Sequence, residues 1–456
     1  TVDGGEMYLE SLTVKAAPAS EARAYTASSK YGVSAAYVSV STNVATAVVE
    51  MQSVAAVTGG VYHIRSDREE DVVTVSAETD ANALAAVRSG ALDAAVEKVA
   101  VNAVTAILRG TNEAYVKDAS ITFEAKGRIS VISRYNLSAD GKTVTGKANA
   151  IISNAAVDAA KYSASANTAT ATSEGASRAY LAGATVAGAQ KLTVRTTGAS
   201  VALPEQGNSA LSISGVGAGL VLLYANANGT FEAYIDTDNA SVQAGAIEVS
   251  VRHEAKADAA LSTPEKGVSA SIGSAETNVA LAGVGLRASA GIKGSGAVKT
   301  GALDVTAAGN AVARALVKKP EVAISGAKIA ANVLTAKLTG AQSAYIDVAG
   351  LVAGNVSVTA KYNEGNTRDN AAAQAILGDT AVSASLANAQ THVLTAQDAS
   401  AVEARVNLRG TGSTGKMNVL AAGSSTARAG LEGGAASVTL LGVGVVKASA
   451  KANASF

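Results

Sequence analysis

The chain has 456 residues, 37 Lys and Arg against 37 Asp and Glu, a pI near 6.8, no Cys, no Trp and three Phe. Even charge with no basic stripe among aromatics argues against a nucleic-acid partner, and no apolar run reaches the roughly 18 residues that span a membrane. The lack of Cys excludes a disulfide scaffold and a thiolate metal site. More than a fifth of the residues are Ala and 44 are Gly, so large side chains are too few for a thick globular core and any interior must be narrow.

Taken in order, the chain keeps rewriting one short strand. Leu12-Thr13-Val14-Lys15-Ala16 alternates apolar and polar residues, the period of a half-buried strand. It returns as Val73-Thr74-Val75-Ser76-Ala77, Ile129-Ser130-Val131, Leu192-Thr193-Val194 and Ile247-Glu248-Val249. The later copies are Leu303-Asp304-Val305-Thr306-Ala307, Val356-Ser357-Val358-Thr359-Ala360 and Met417-Asn418-Val419-Leu420-Ala421. From one central valine to the next (14, 75, 131, 194, 249, 305, 358, 419) the steps are 61, 56, 63, 55, 56, 53 and 61 residues. Eight copies of about 58 residues are an internal repeat, starting near residues 9, 70, 126, 188, 244, 300, 354 and 414. Val14, Val75, Val131, Val194, Val249, Val305, Val358 and Val419 are the expected inward anchors.

Each copy continues in the same way. Alternating alanines follow the anchor, most cleanly as Ala255-Lys256-Ala257-Asp258-Ala259 and Ala311-Val312-Ala313-Arg314-Ala315. A variable loop with Gly or Pro comes next, such as Thr263-Pro264-Glu265-Lys266-Gly267, and then a further strand such as Val268-Ser269-Ala270-Ser271-Ile272. A second marker opens with Asn43, Asn102, Asn167, Asn278 or Asn332; His392 stands at that place in the seventh copy. An inward Asn at a bend can bond its equivalents above and below, so these five predict an asparagine ladder. A third marker holds Tyr115, Tyr180, Tyr234 and Tyr345 between small and β-branched or Leu residues, which predicts tyrosines facing outward, available to glycans or a neighbouring fibre.

The fold expected is all-β, a single parallel solenoid over residues 1–456 with no separate globular domain, because stacking is what pairs the edges of such units. Five or six short strands per copy suggest two or three coils per copy, hence a length of roughly 75–115 Å at ~4.8 Å per coil. Tandem immunoglobulin-like sandwiches need about 100 residues and a bulky inter-sheet core. Residues 81–110 are rich enough in Ala, Leu and Val to form a helix alone, but their sibling segments are β-branched and tip them to strand.

Chemical motifs are few. Gly410-Thr411-Gly412-Ser413-Thr414-Gly415-Lys416 approaches a phosphate loop, yet Met417 replaces the required Ser or Thr and an anchor strand follows instead of a helix. His63, His253 and His392 lie in different copies. Asp236-Thr237-Asp238-Asn239 lacks the glycine and distal Glu of a calcium loop, and the acidic run 67–71 reads as a solvated corner. No catalytic, cofactor-binding or metal-binding residue is assigned, and no enzyme activity is expected.

The pattern G-x-L-x-V-x-A, A-x-A-x-A, G-V-S-A and T-N-V-A-x-A, clearest in 301–315 and 267–282, resembles the very large bacterial β-helical exoproteins of the leukotoxin and filamentous-haemagglutinin adhesin type. The resemblance implies a non-enzymatic extracellular or cell-surface segment, structural or adhesive. Its partners would be copies of itself, met head to tail or laterally, and surface glycans or neighbouring cells. The alternatives are a β-helical polysaccharide-degrading enzyme, or a secreted toxin of the leukotoxin type. The sequence opens beside the first anchor and stops inside the eighth copy, with neither end reading as a cap. That predicts a processed or excised piece that continues into, or assembles into, a filament.

Overall fold

The computed structural model describes residues 1–27, 32–66, 68–138, 140–262, 267–319, 321–364, 371–379, 382–432 and 436–455. Asp67 of the acidic corner, Pro320 and residues 263–266 of the variable loops fall outside these. Every named element is a strand, and every strand-to-strand pairing is parallel. Residues 81–110 are extended, lying within the Asp71–Lys117 strand.

One copy makes one coil. Val14 pairs with Val75, Val75 with Val131, and so on through Val194, Val249, Val305 and Val358 to Val419, so each residue meets its equivalent one repeat away. The expectation of two or three coils per copy is therefore corrected. The short strands inferred from the markers are arcs of one wide coil, and pairing runs round the bends, as in Thr185–Asp236 and Gly267–Lys319. Eight coils then rise about 38 Å at ~4.8 Å each, well short of 75–115 Å.

The core is built from files of small apolar side chains, one from each coil. Val75, Val131, Val194, Val249, Val305 and Val358 are fully buried, whereas Val419 in the last coil is 43% exposed. Other files carry Ala83, Ala148, Ala202, Ala257 and Ala313, or Ala106, Ala171, Ala225, Ala282 and Ala336, all buried. Identical residues at matched heights fill a thin interior with no large side chain needed, which is how an Ala-rich sequence reaches native packing density.

The bends have their own chemistry. Just after the tyrosine arc the chain turns through Gly4, Gly59, Asp118 and Gly183, all with φ between 53° and 65°. Each donates its N–H to the carbonyl of the next coil, at Thr58, Lys117, Ala182 and Asp236. This left-handed corner explains the glycines there. Before the anchor strand the reason is close approach. A Cβ on Gly301 or Gly354 would come within 2.9 or 2.4 Å of the carbonyl oxygen of Gly245 or Gly301 in the preceding coil.

Candidate functional site

From the second coil to the seventh the anchor strands put their valines inside and leave a polar outer face. A shallow trough of about 930 Å³ runs along it, lined by Lys191, Glu248, Asp304, Ser357, Asn418 and Lys416 among others. Glu248 receives Lys191 Nζ at 2.7 Å and Arg195 Nη2 at 2.6 Å. Burial opposes its charge, but the bonds and charges of the two cations prevail and hold its carboxyl down at about 2. Lys416 belongs here, on the Gly412–Gly423 strand paired to 351–362; the glycine-rich loop opens a strand and presents no helix terminus.

The asparagines form two separate ladders. Asn43 Nδ2 donates to Asn102 Oδ1 at 2.9 Å, and Asn102 Nδ2 to Asn167 Oδ1 at 2.8 Å. Val221 occupies the next rung and ends that run. Asn278 Nδ2 then donates to Asn332 Oδ1 at 2.8 Å, and Asn332 Nδ2 meets His392 Nδ1 at 3.0 Å. Each interior amide gives one bond and takes one, so the dipoles line up along the stacking axis and reinforce one another. Asn102, Asn167, Asn278 and Asn332 are buried, and Asn43 in the first coil is half-buried.

The tyrosines make the outward file. Tyr115, Tyr180 and Tyr234 stack at centroid distances of 4.9 and 5.0 Å with planes within 7°. Gly291 takes the next rung, and the Tyr345 ring lies across it, within 2.5 Å of where its Cβ would be. Lys293 and Arg405 sit 5.3 and 5.5 Å from the Tyr234 and Tyr345 ring centres. Desolvation raises the hydroxyls of Tyr180, Tyr234 and Tyr345 above the usual phenol range. Beside it, charges alternate from coil to coil. Arg109 bridges Glu50 and Glu174 at 3.3 and 3.0 Å, and Arg178 bridges Glu113 and Glu232 at 3.8 and 2.9 Å. Lys293 pairs with Asp236 at 3.2 Å. The stack uses up the ring faces, leaving edges and hydroxyls at a ~4.9 Å period. Such a comb suits contact with another regular protein surface better than the face-on packing of a sugar ring.

The three histidines stay apart. His63 stacks on Tyr8 at 4.5 Å between Glu6 and Glu124, and His392 ends the second asparagine ladder. His253 is fully buried, parallel to Phe231 at 5.9 Å, and burial depresses its ring to about 3. Its Nε2 donates to the Gln342 side-chain carbonyl at 2.7 Å, and the Gln342 amide donates to the carbonyls of Lys361 (2.7 Å) and Ala307 (3.3 Å). In the 236–239 turn, Asp238 accepts from Ser295 N–H and Asp236 from Asp238 N–H. Among the described residues no group of three or more His, Asp or Glu is arranged to hold a metal ion.

One internal file escaped the sequence reading. The fourth residue after successive anchors is Thr79, Tyr135, Gly198, His253, Gly309, Tyr362 and Gly423, and these pair in one file. Large rings alternate with glycine. A Cβ on Gly309 would lie 2.4 Å from the His253 ring, and one on Gly110, across the core, 2.4 Å from Tyr135. The signal was present as a glycine–aromatic alternation between copies, visible only once the copies are in register. No protein-family model matches this chain, and no curated protein or solved structure is similar to it.

Proposed function

We propose that this chain is a structural or adhesive segment of an extracellular bacterial fibre, of the leukotoxin and filamentous-haemagglutinin type, working by shape and surface repetition instead of catalysis. One observation carries the reading: the anchor strand pairs with its equivalent one repeat away through all eight coils, so its outer face recurs with the coil. A catalytic cleft requires a local departure from such a pattern, and a fibre requires its continuation. The tyrosine comb and its paired charges supply the contact face, toward copies of the same chain or a neighbouring cell surface. Immunogold labelling of intact producing cells tests the proposal. Label on thin external fibres is expected, and label confined to the cell interior overturns it.

A further inference from the structure

The arc that leads into the rung of Val221, Asn278, Asn332 and His392 (213–220, 270–277, 324–331, 384–391) inverts the usual order of a solvated sheet. The side continuous with the buried rung carries Ser214, Ser271, Ser325 and Ser385, bonded along the axis at Ser271–Ser325, with Ser274, Lys328 and Asn388 beyond. The opposite side, open to solvent, carries Ile213, Val216, Leu220, Ile272, Ile324, Ile329 and Leu386, between 43 and 75% exposed. Bulk is ordered there too. One file reads Ile213, Ala270, Ile324, Ala384, and two residues on the next reads Gly215, Ile272, Gly326, Leu386. Knobs therefore zigzag between two files, each beside a gap. The gaps are fixed by the backbone, since a Cβ on Gly215 or Gly326 would stand 2.5 Å from the carbonyl oxygen of Lys161 or Ile272. Along this zigzag lies a shallow trough of about 1020 Å³, which extends to Tyr37 and Val96 in the first coils.

We infer that this face is a pairing surface for a second copy of the chain, packed sheet against sheet. Over all eight coils, eight residues at ~3.3 Å by ~4.8 Å per coil give on the order of 1000 Å² per copy, about half of it the uncharged zigzag of the fourth to seventh coils. A stable interface needs about 800 Å² from each partner. An exposed apolar face of this size is uncommon on a lone protein. The occupant must match a knob every second coil, a period of ~9.6 Å, and carry gaps in the alternate coils. A copy related by a two-fold axis and offset by one coil has that pattern, with its isoleucines facing the Gly and Ala gaps. From the fourth to the seventh coil the open side presents no charge; Glu97 in the second coil and Lys161 in the third are the exposed charges of the same arc.

The inference deepens the fibre reading by naming a lateral contact, and its test separates the two. Sedimentation velocity of the intact chain at micromolar concentration should show a dimer. The double variant Ile272→Lys, Ile324→Lys should weaken association at least tenfold with an unchanged β-sheet circular dichroism spectrum. Asn355→Lys, on the outer face of the anchor arc, should leave it intact. Should the double variant misfold, the Cys-free chain offers a second measurement: Ala270→Cys should be joined to its equivalent by a bis-maleimide that spans the ~10 Å between packed sheets, and Asn355→Cys should not. A monomer with no cross-link overturns the inference, as does association that survives the double variant. Flotation of a monomer with phosphatidylcholine vesicles, lost in the double variant, would assign the face to lipid and overturn it as well. Surface fibres built from a chain that is monomeric in isolation would sink the pairing alone.

Discussion

The anchor arc and the arc before the asparagine rung share strand geometry, register and coil spacing, yet they turn opposite chemistries outward. Around Val305 the valine is fully buried while Asp304 and Thr306 face out. Around Ile329, in the same coil, the isoleucine is 60% exposed and Lys328 lies on the side continuous with the rung. Alternation with a period of two says that a strand has two unlike faces; what lies on either side decides which face is hidden. At the Gly326 bend the alternation shifts by one residue, so buried Ser325 is followed by buried Ala330 and exposed Ile324 by exposed Ile329.

The same substitution at both places probes this most strongly. Val305→Asp should lower unfolding free energy by about 3–5 kcal/mol, since a lone carboxylate cannot be solvated in the file. Ile329→Asp should cost under about 0.5 kcal/mol in the monomer. Chemical denaturation of the two variants gives the answer, and equal losses would put both faces inside. Next in size is an acid effect on the core alone. With its folded pKa depressed to about 3, the neutral His253 contributes stability that is full above ~6.5 and falls at about 1.4 kcal/mol per pH unit below it. His253→Phe should flatten that slope between pH 6 and 4, by roughly the one proton lost; an unchanged slope would show the ring to be solvated.

Smaller again is the ladder between the two regions. Asn102→Leu strands Asn43 and Asn167 and should cost about 1–3 kcal/mol. Val221→Asn should be close to neutral, because Asn167 and Asn278 stand on either side to bond it. A large loss from Val221→Asn would mean that the two ladders are out of line. Smallest is Lys416→Ala on the solvated outer face, expected to change stability by less than about 0.5 kcal/mol. Calorimetric titration should show no nucleotide binding for it to abolish.

Much of this was legible in the residues. The spacing of the eight valines gave the register because each copy repeats the same inward alternation, and the recurring Asn and Tyr markers fixed two further files. Coil number was not legible. A marker such as Ala255–Ala259 reads as a separate strand, and no local pattern distinguishes a bend within one coil from a return to the next. The Val221 interruption and the glycine–aromatic file were hidden for a related reason: each is a relation between residues some 55 positions apart, with no trace inside a single copy. The exposed face of Ile213, Ile272 and Ile324 was masked by the ordinary assumption that the apolar side of a strand turns in.

One coil per copy also decides how such a chain can come to order. Every ladder contact joins residues separated by a whole repeat, so the first two coils must close a loop of about 58 residues before any pairing stabilises them, at ~3.6 kcal/mol beyond the constant term. Among the described residues no helix forms, and the local antiparallel bridge Leu137–Val144 closes no coil, so neither shortens that search. Once two coils are zipped, the exposed edge is a template, and each later coil needs only its own ordering. Folding should therefore show a slow start whose rate is independent of coil number, so a version ending after the sixth coil should refold with the same leading rate constant as the full chain.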